Sequence, residues 1–159
     1  AIARLTRNKM LIVNPAGAQI ADITVTLPGG INGLAYDILR SRYYASGLND
    51  RNVISILDAS GTITGTIALP PGAAFHADVI DHLSYDAAND ALLITKGVNG
   101  SAGFVYSYKL STRVPFVAYS LASTLAMEGA AVVGANLWAL SDEWFHDGGV
   151  NKLQSYALP

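Results

Sequence analysis

A chain of 159 residues that is 51% hydrophobic, 14% charged and of formal net charge -2 fits one domain with a sizeable core and excludes intrinsic disorder. Its ten Lys and Arg are scattered rather than gathered in a stripe, which argues against nucleic acid and against an anionic membrane surface. With no cysteine there can be no disulfide or thiolate metal site, and Glu128, Gly129 and Gly134 break the apolar window 118–140, against a membrane-spanning helix.

In chain order, strand-forming segments run to Leu27 and enclose Asn14-Pro15-Ala16-Gly17, a tight-turn sequence whose glycine can take a positive φ. Ile31-Asn32-Gly33-Leu34-Ala35-Tyr36-Asp37 follows, and it returns 49 residues later (31 to 80) as Ile80-Asp81-His82-Leu83-Ser84-Tyr85-Asp86. A looser third copy, Met127-Glu128-Gly129-Ala130-Ala131-Val132, begins 47 residues further on (80 to 127). The first turn is echoed by Asp58-Ala59-Ser60-Gly61, and Ser107-Tyr108-Lys109-Leu110 by Ser155-Tyr156-Ala157-Leu158. β-Branched and aromatic runs at 53–57, 62–69, 91–95, 104–110 and 115–121 fill each period with four strands, whereas only Ser120 to Gly129 could form a short helical turn.

A period of this length built from four strands marks a propeller. The chain therefore reads as one all-β domain over 1–159, about three four-stranded antiparallel propeller blades in an incomplete ring. The units are a partial blade 1–30, a blade 31–75, a blade 76–123 and an incomplete blade 124–159. Labelled a to d from the inside outward, the first unit supplies c and d with room for b, and the last supplies a, b and c. Closed propellers hold about four to eight blades, so the open ends call for a homo-oligomer, a larger protein assembly or a longer chain.

The d-to-a connections and b-to-c loops gather on one face of such a fold. Asn32, Asp81 and Glu128 share one column of three inner strands there and face the central channel. The loops 47–52, 97–103 and 142–149 join them, which makes Asn32, Asp81, Asn49, Asp50, Trp144, His146 and Asp147 the candidate ligand-binding residues. The loop 142–149 combines carboxylates, an imidazole and two aromatics, a mixture suited to a sugar, a peptide or a hard cation. The structural alternative is that polar side chains at the mouth bind water or neighbouring backbone. Glu128, Asp142 and Glu143 could hold calcium, although the run lacks the alternating oxygen ligands of an EF-hand loop. His76, His82 and His146 map to the same face, where three unrelated surface histidines are favoured over a metal triad. Trp138 is expected between blades, and Trp144 as a clamp over a turn or a ligand platform. No nucleophile elbow, H-E-x-x-H or Walker loop is present, and no catalytic residue is assigned.

Glu128-Gly129-Ala130-Ala131 leading into Leu137-Trp138-Ala139-Leu140-Ser141-Asp142-Glu143 resembles the blade signature of phytase-like six-bladed propellers. That resemblance implies calcium and carboxylates at the channel mouth, with Glu128, Asp142 and Glu143 among them. The Cys-free, Ala/Gly/Thr-rich repeat also resembles virion or phage-tail components in style, which implies ring assembly, a virion or extracellular location, and a cell-surface receptor or glycan as partner. Three functions follow in order: a non-enzymatic structural or binding module, a fragment of a calcium-dependent phytase-like hydrolase, and a carbohydrate-binding lectin.

Overall fold

The computed structural model describes residues 2–4, 8–70, 79–96, 103–121, 126–142 and 151–158. These residues contain strands and turns and no helix. The strands are β1 (Ile2–Arg4), β2 (Lys9–Val13), β3 (Gln19–Thr24), β4 (Ile31–Asp37), β5 (Arg42–Gly47), β6 (Val53–Leu57), β7 (Ile63–Ala68), β8 (Ile80–Asp86), β9 (Ala91–Lys96), β10 (Gly103–Lys109), β11 (Val114–Leu121), β12 (Ala126–Val133), β13 (Asn136–Asp142) and β14 (Lys152–Ala157). They pair in chain order into four antiparallel sheets: β1–β3, β4–β7, β8–β11 and β12–β14. The fold is thus all-β, two complete four-stranded blades flanked by two three-stranded sheets, with no closed ring. Ser120 to Gly129, where the sequence leaves room for a helical turn, is strand at both described ends.

The turns explain why the strands reverse where they do. Asp58 Oδ1 accepts from the backbone N–H of Ser60 and Thr62, and Gly61 at φ +83° closes the loop into β7. Asn14 and Gly17 repeat this between β2 and β3. Between the inner strands, Asp37 Oδ1 accepts from Leu39 and Arg40 N–H, and Asp86 Oδ1 from Ala88 and Asn89 N–H. These two loops end on Ser41 and Asp90 in the left-handed conformation.

Inner strand β4 packs on β8, and β8 on β12, so the sheets stack side by side around the channel side. One core cluster fills each gap. Tyr44 and Ile54 meet Leu92, Ile94 and Tyr106 between the second and third sheets. Leu93 and Val105 meet Leu137 and Ala139 between the third and fourth. Every residue of β9 is buried because both its faces are covered, which accounts for the high apolar content of the chain. Each fully buried Leu or Ile of this kind contributes about 1.5–3 kcal/mol.

Trp138 departs from expectation. It occupies the position of Tyr44 and Leu93, which pair with Ala35 and Ser84 as Trp138 does with Ala131. Those two are 0% and 3% exposed, each packed on the following sheet, whereas Trp138 lies on the outer face of the last sheet at 36% exposure.

Candidate functional site

The polar column is built by a repeated irregularity in the inner strands. In β4 the pairing skips from Ile31↔Gly47 to Gly33↔Ser46, in β8 from Ile80↔Lys96 to His82↔Thr95, and in β12 from Met127↔Ser141 to Gly129↔Leu140. The residues left over are Asn32, Asp81 and Glu128. Each is a β-bulge, an extra residue that bends its strand and re-aims a side chain, a device common beside binding sites.

The three bulges do different work. Asn32 Nδ2 donates to Ile80 O at 2.8 Å, so this side chain ties β4 to the neighbouring inner strand, and its structural role is visible. Gly33 N–H donates to Ser46 Oγ at 3.0 Å beneath it. Asp81 is half-buried, and Glu128 is exposed at the edge of the column. His82, next to the second bulge, is half-buried, and burial pushes its imidazole pKa below the ordinary value. His82 Nδ1 and the Thr95 Oγ1 paired opposite are buried without a hydrogen-bond partner among the described residues.

The loop after β5 joins the same face through its backbone. Leu48 N–H donates to Gly30 O, and Asn49 N–H to Pro28 O, which brings the b-to-c loop and the d-to-a connection together. Asn49 is exposed and Asp50 half-buried. A residue that the sequence reading missed holds this loop: Lys96, with 0% exposure, donates from Nζ to Arg51 O at 2.6 Å and to Asn52 Oδ1 at 3.1 Å. The signal was a lone lysine closing the otherwise apolar run Ala91-Leu92-Leu93-Ile94-Thr95. The side chains of Asp142, Glu143, Trp144, His146, Asp147 and His76 lie outside the described residues. Among the described residues no three His, Cys, Asp or Glu gather into a metal-ligating group.

The opposite face carries a charged network that the sequence reading did not single out. Arg40 Nη1 donates to Asp37 Oδ2 at 2.9 Å and to Asp90 Oδ1 at 2.7 Å, while Nη2 donates to Asp90 Oδ2 at 2.6 Å, so one guanidinium bridges two sheets. Arg42 donates to Tyr44 Oη, which donates in turn to Asp37 Oδ2 at 3.3 Å. Burial alone would raise the Asp37 pKa, but hydrogen bonds from Arg40 and Tyr44 and the charge of Arg40 hold it below the ordinary carboxylate value. Tyr85 donates to Asp90 Oδ1 at 2.9 Å, and desolvation first, then this bond, pushes its pKa up to about 12. The repeated Tyr-Asp of 36–37 and 85–86 was its trace in the sequence.

No protein-family model and no curated protein matches the chain. Among solved structures it is similar to hydrazine synthase of Kuenenia stuttgartiensis, with TM-score 0.63 and 8% identity over 94% of this chain and 40% of that one. It is also similar to Sqt1 of Saccharomyces cerevisiae, with TM-score 0.54 and 15% identity over 96% of this chain and 40% of that one. A third is a catalytically inactive virginiamycin B lyase of Staphylococcus aureus solved with quinupristin, with TM-score 0.51 and 13% identity over 98% of this chain and 50% of that one. All three are β-propeller-type proteins, and at these identities the likeness shows the fold alone. The chain spans 40% to 50% of their lengths.

Proposed function

We propose that this chain is a non-enzymatic propeller module, structural or ligand-binding, whose ring is completed by a second copy of itself. The carrying observation is the outer face of the last sheet. Leu153 pairs with Leu140 as Val105 pairs with Thr95. Val105 and Thr95 are both 0% exposed beneath the following sheet, whereas Leu153 is 64% and Leu140 39% exposed, beside Trp138. An apolar face patterned for a next blade, with none of the described residues covering it, is what a blade–blade contact between copies requires.

The first sheet offers the complement. Its inner face packs through Met10, Ile12 and Ile23, so the alternate residues Leu11, Val13 and the 65% exposed Ile20 point the other way. Head-to-tail contact of these two faces in a pair related by a half-turn would give a ring of eight sheets from four per copy, within the usual range of about four to eight. The ligand side of the module is the bulge column with the loop of Asn49 and Asp50. A phage-tail or surface assembly with a receptor or glycan partner suits a ring-forming module, and it rests on composition.

A second reading, a calcium-dependent phytase-like hydrolase, is favoured by the bulged Asp81 and Glu128 on adjacent inner strands. The test is light scattering at low micromolar concentration with and without calcium, on wild type and Leu153→Lys. A dimer of twice 16.7 kDa that ignores calcium and falls apart in the variant supports the module. A monomer in every condition, or a dimer unmoved by the substitution, rejects it. A dimer formed only with calcium moves the assignment to the second reading.

A further inference from the structure

A cleft of about 340 Å³ opens between the second and third sheets, lined by residues of β5, β6, β7, β10 and the turn after β10. Arg42 of β5 with Thr66 and Ile67 of β7 forms one wall, and Tyr108 of β10 with Leu110 and Arg113 of the following turn forms the other. Its size lies at the small end of the range for small-molecule sites, about 300–1,000 Å³. We propose that this cleft binds a small organic anion, a carboxylate or phosphate carried on a compact apolar body.

Charge is the first argument. Two guanidiniums line the cleft and no carboxylate does. Arg40 is matched by Asp37 and Asp90, and Arg42 Nε lies 3.5 Å from Asp37 Oδ2. Arg113 has no carboxylate at ion-pair distance among the described residues, so the cleft keeps an excess positive charge. Guanidinium is the side chain best shaped for bidentate contact with a carboxylate or phosphate.

Backbone cost is the second. The turns β2–β3 and β6–β7 end on Gly17 and Gly61 at φ +83°, where a left-handed residue costs glycine nothing. The turn β10–β11 closes one residue longer, from Arg113 N–H to Lys109 O, and Arg113 at φ +58° stands directly before its strand as Ser41 and Asp90 do, a conformation unfavourable for a side chain that carries a Cβ. Asp90 at φ +50° shows what such a residue can return, since its carboxylate holds Arg40 of the neighbouring sheet. Arg113 takes the same conformation as Asp90 and sets its side chain at the cleft. Ile67 and Leu110 supply apolar walls beside the cations, and Tyr108, at 4% exposure, presents its ring between them.

Amide NMR shifts on the whole chain, titrated to millimolar phenyl phosphate, benzoate and inorganic phosphate, test this. Phenyl phosphate or benzoate is expected to shift the amides of Thr66, Tyr108 and Arg113, and which of the two binds tighter identifies the anion. Arg113→Gly removes the guanidinium and suits the positive φ at this position, so its melting temperature should equal or exceed wild type while affinity falls at least about tenfold. Thr66→Glu, which puts a carboxylate into the cleft, should lose affinity likewise. The proposal is overturned if neither organic probe shifts these amides, if Arg113→Gly binds as wild type does, or if inorganic phosphate binds as tightly as phenyl phosphate.

Discussion

Gly33→Ala tests the packing on which the bulge column depends. A Cβ at Gly33 would lie 2.7 Å from Ser46 Oγ, 3.0 Å from Leu83 Cγ and 3.1 Å from the Leu83 backbone N. The last of these belongs to the neighbouring inner strand, so β4 and β8 must separate to admit a methyl group. Overpacking of this kind costs about 1–3 kcal/mol. Disturbing the bond from Gly33 N–H to Ser46 Oγ costs about 1 kcal/mol more. Replacing glycine by alanine inside a strand returns about 0.5–1 kcal/mol. The net loss is about 1–3.5 kcal/mol, which for a chain of this size lowers the melting temperature by about 2–14 °C. Gly65→Ala is the control within the same sheet, because its Cβ would meet only Ile56 Cδ1 at 3.8 Å. Thermal unfolding followed by circular dichroism should show the first variant destabilised and the second unchanged or slightly raised. Equal melting temperatures for the two would refute the close approach of the inner strands, and with it the assignment of Asn32 as a tie between them.

Two further predictions concern charge. A double-mutant cycle of Arg40→Ala with Asp90→Asn, which keeps a residue tolerant of positive φ at 90, should give a coupling of about 0.5–1 kcal/mol, because both side chains are partly exposed. Hydrogen bonding from Arg40 first of all holds the Asp90 pKa below its ordinary 3.8, so the coupling is complete above that value and is lost as pH falls through the lower folded value. Zero coupling in urea denaturation at low salt and neutral pH would remove the bridge. His82 titrates in a higher range. Burial lowers its pKa from 6.5, so the unfolded chain takes up the proton first, and stability is full above 6.5 and declines as pH falls below it. His82→Gln should flatten the melting temperature between about pH 7.5 and about pH 5 relative to wild type, and an unchanged slope would place the acid sensitivity elsewhere.

Much of this molecule was written locally. The 49-residue echo of Ile31–Asp37 in Ile80–Asp86 was legible because each blade solves the same packing problem with the same side chains, and periodicity survives without contacts to confirm it. The left-handed Gly17 and Gly61 were legible for the same reason, since backbone geometry selects glycine directly. The column Asn32, Asp81 and Glu128 could be aligned by register, although a sequence does not display a bulge, which exists only when a partner strand skips a residue.

Other features had to wait for neighbours. Lys96 is buried only because the loop of Arg51 and Asn52 closes over its ammonium, a contact across 44 and 45 residues. Arg40 and Asp90 lie 50 residues apart and meet only once two sheets stack. Trp138 has the sequence context of a buried inter-blade residue, and its exposure follows from there being no sheet packed on that face among the described residues. Strand and turn identity is set by short-range sterics and alternation, so the sequence by itself determined the blades. Burial and charge pairing depend on which surfaces come to face each other, so tertiary structure alone decided which polar groups are ties, which line a cleft and which apolar face stays open.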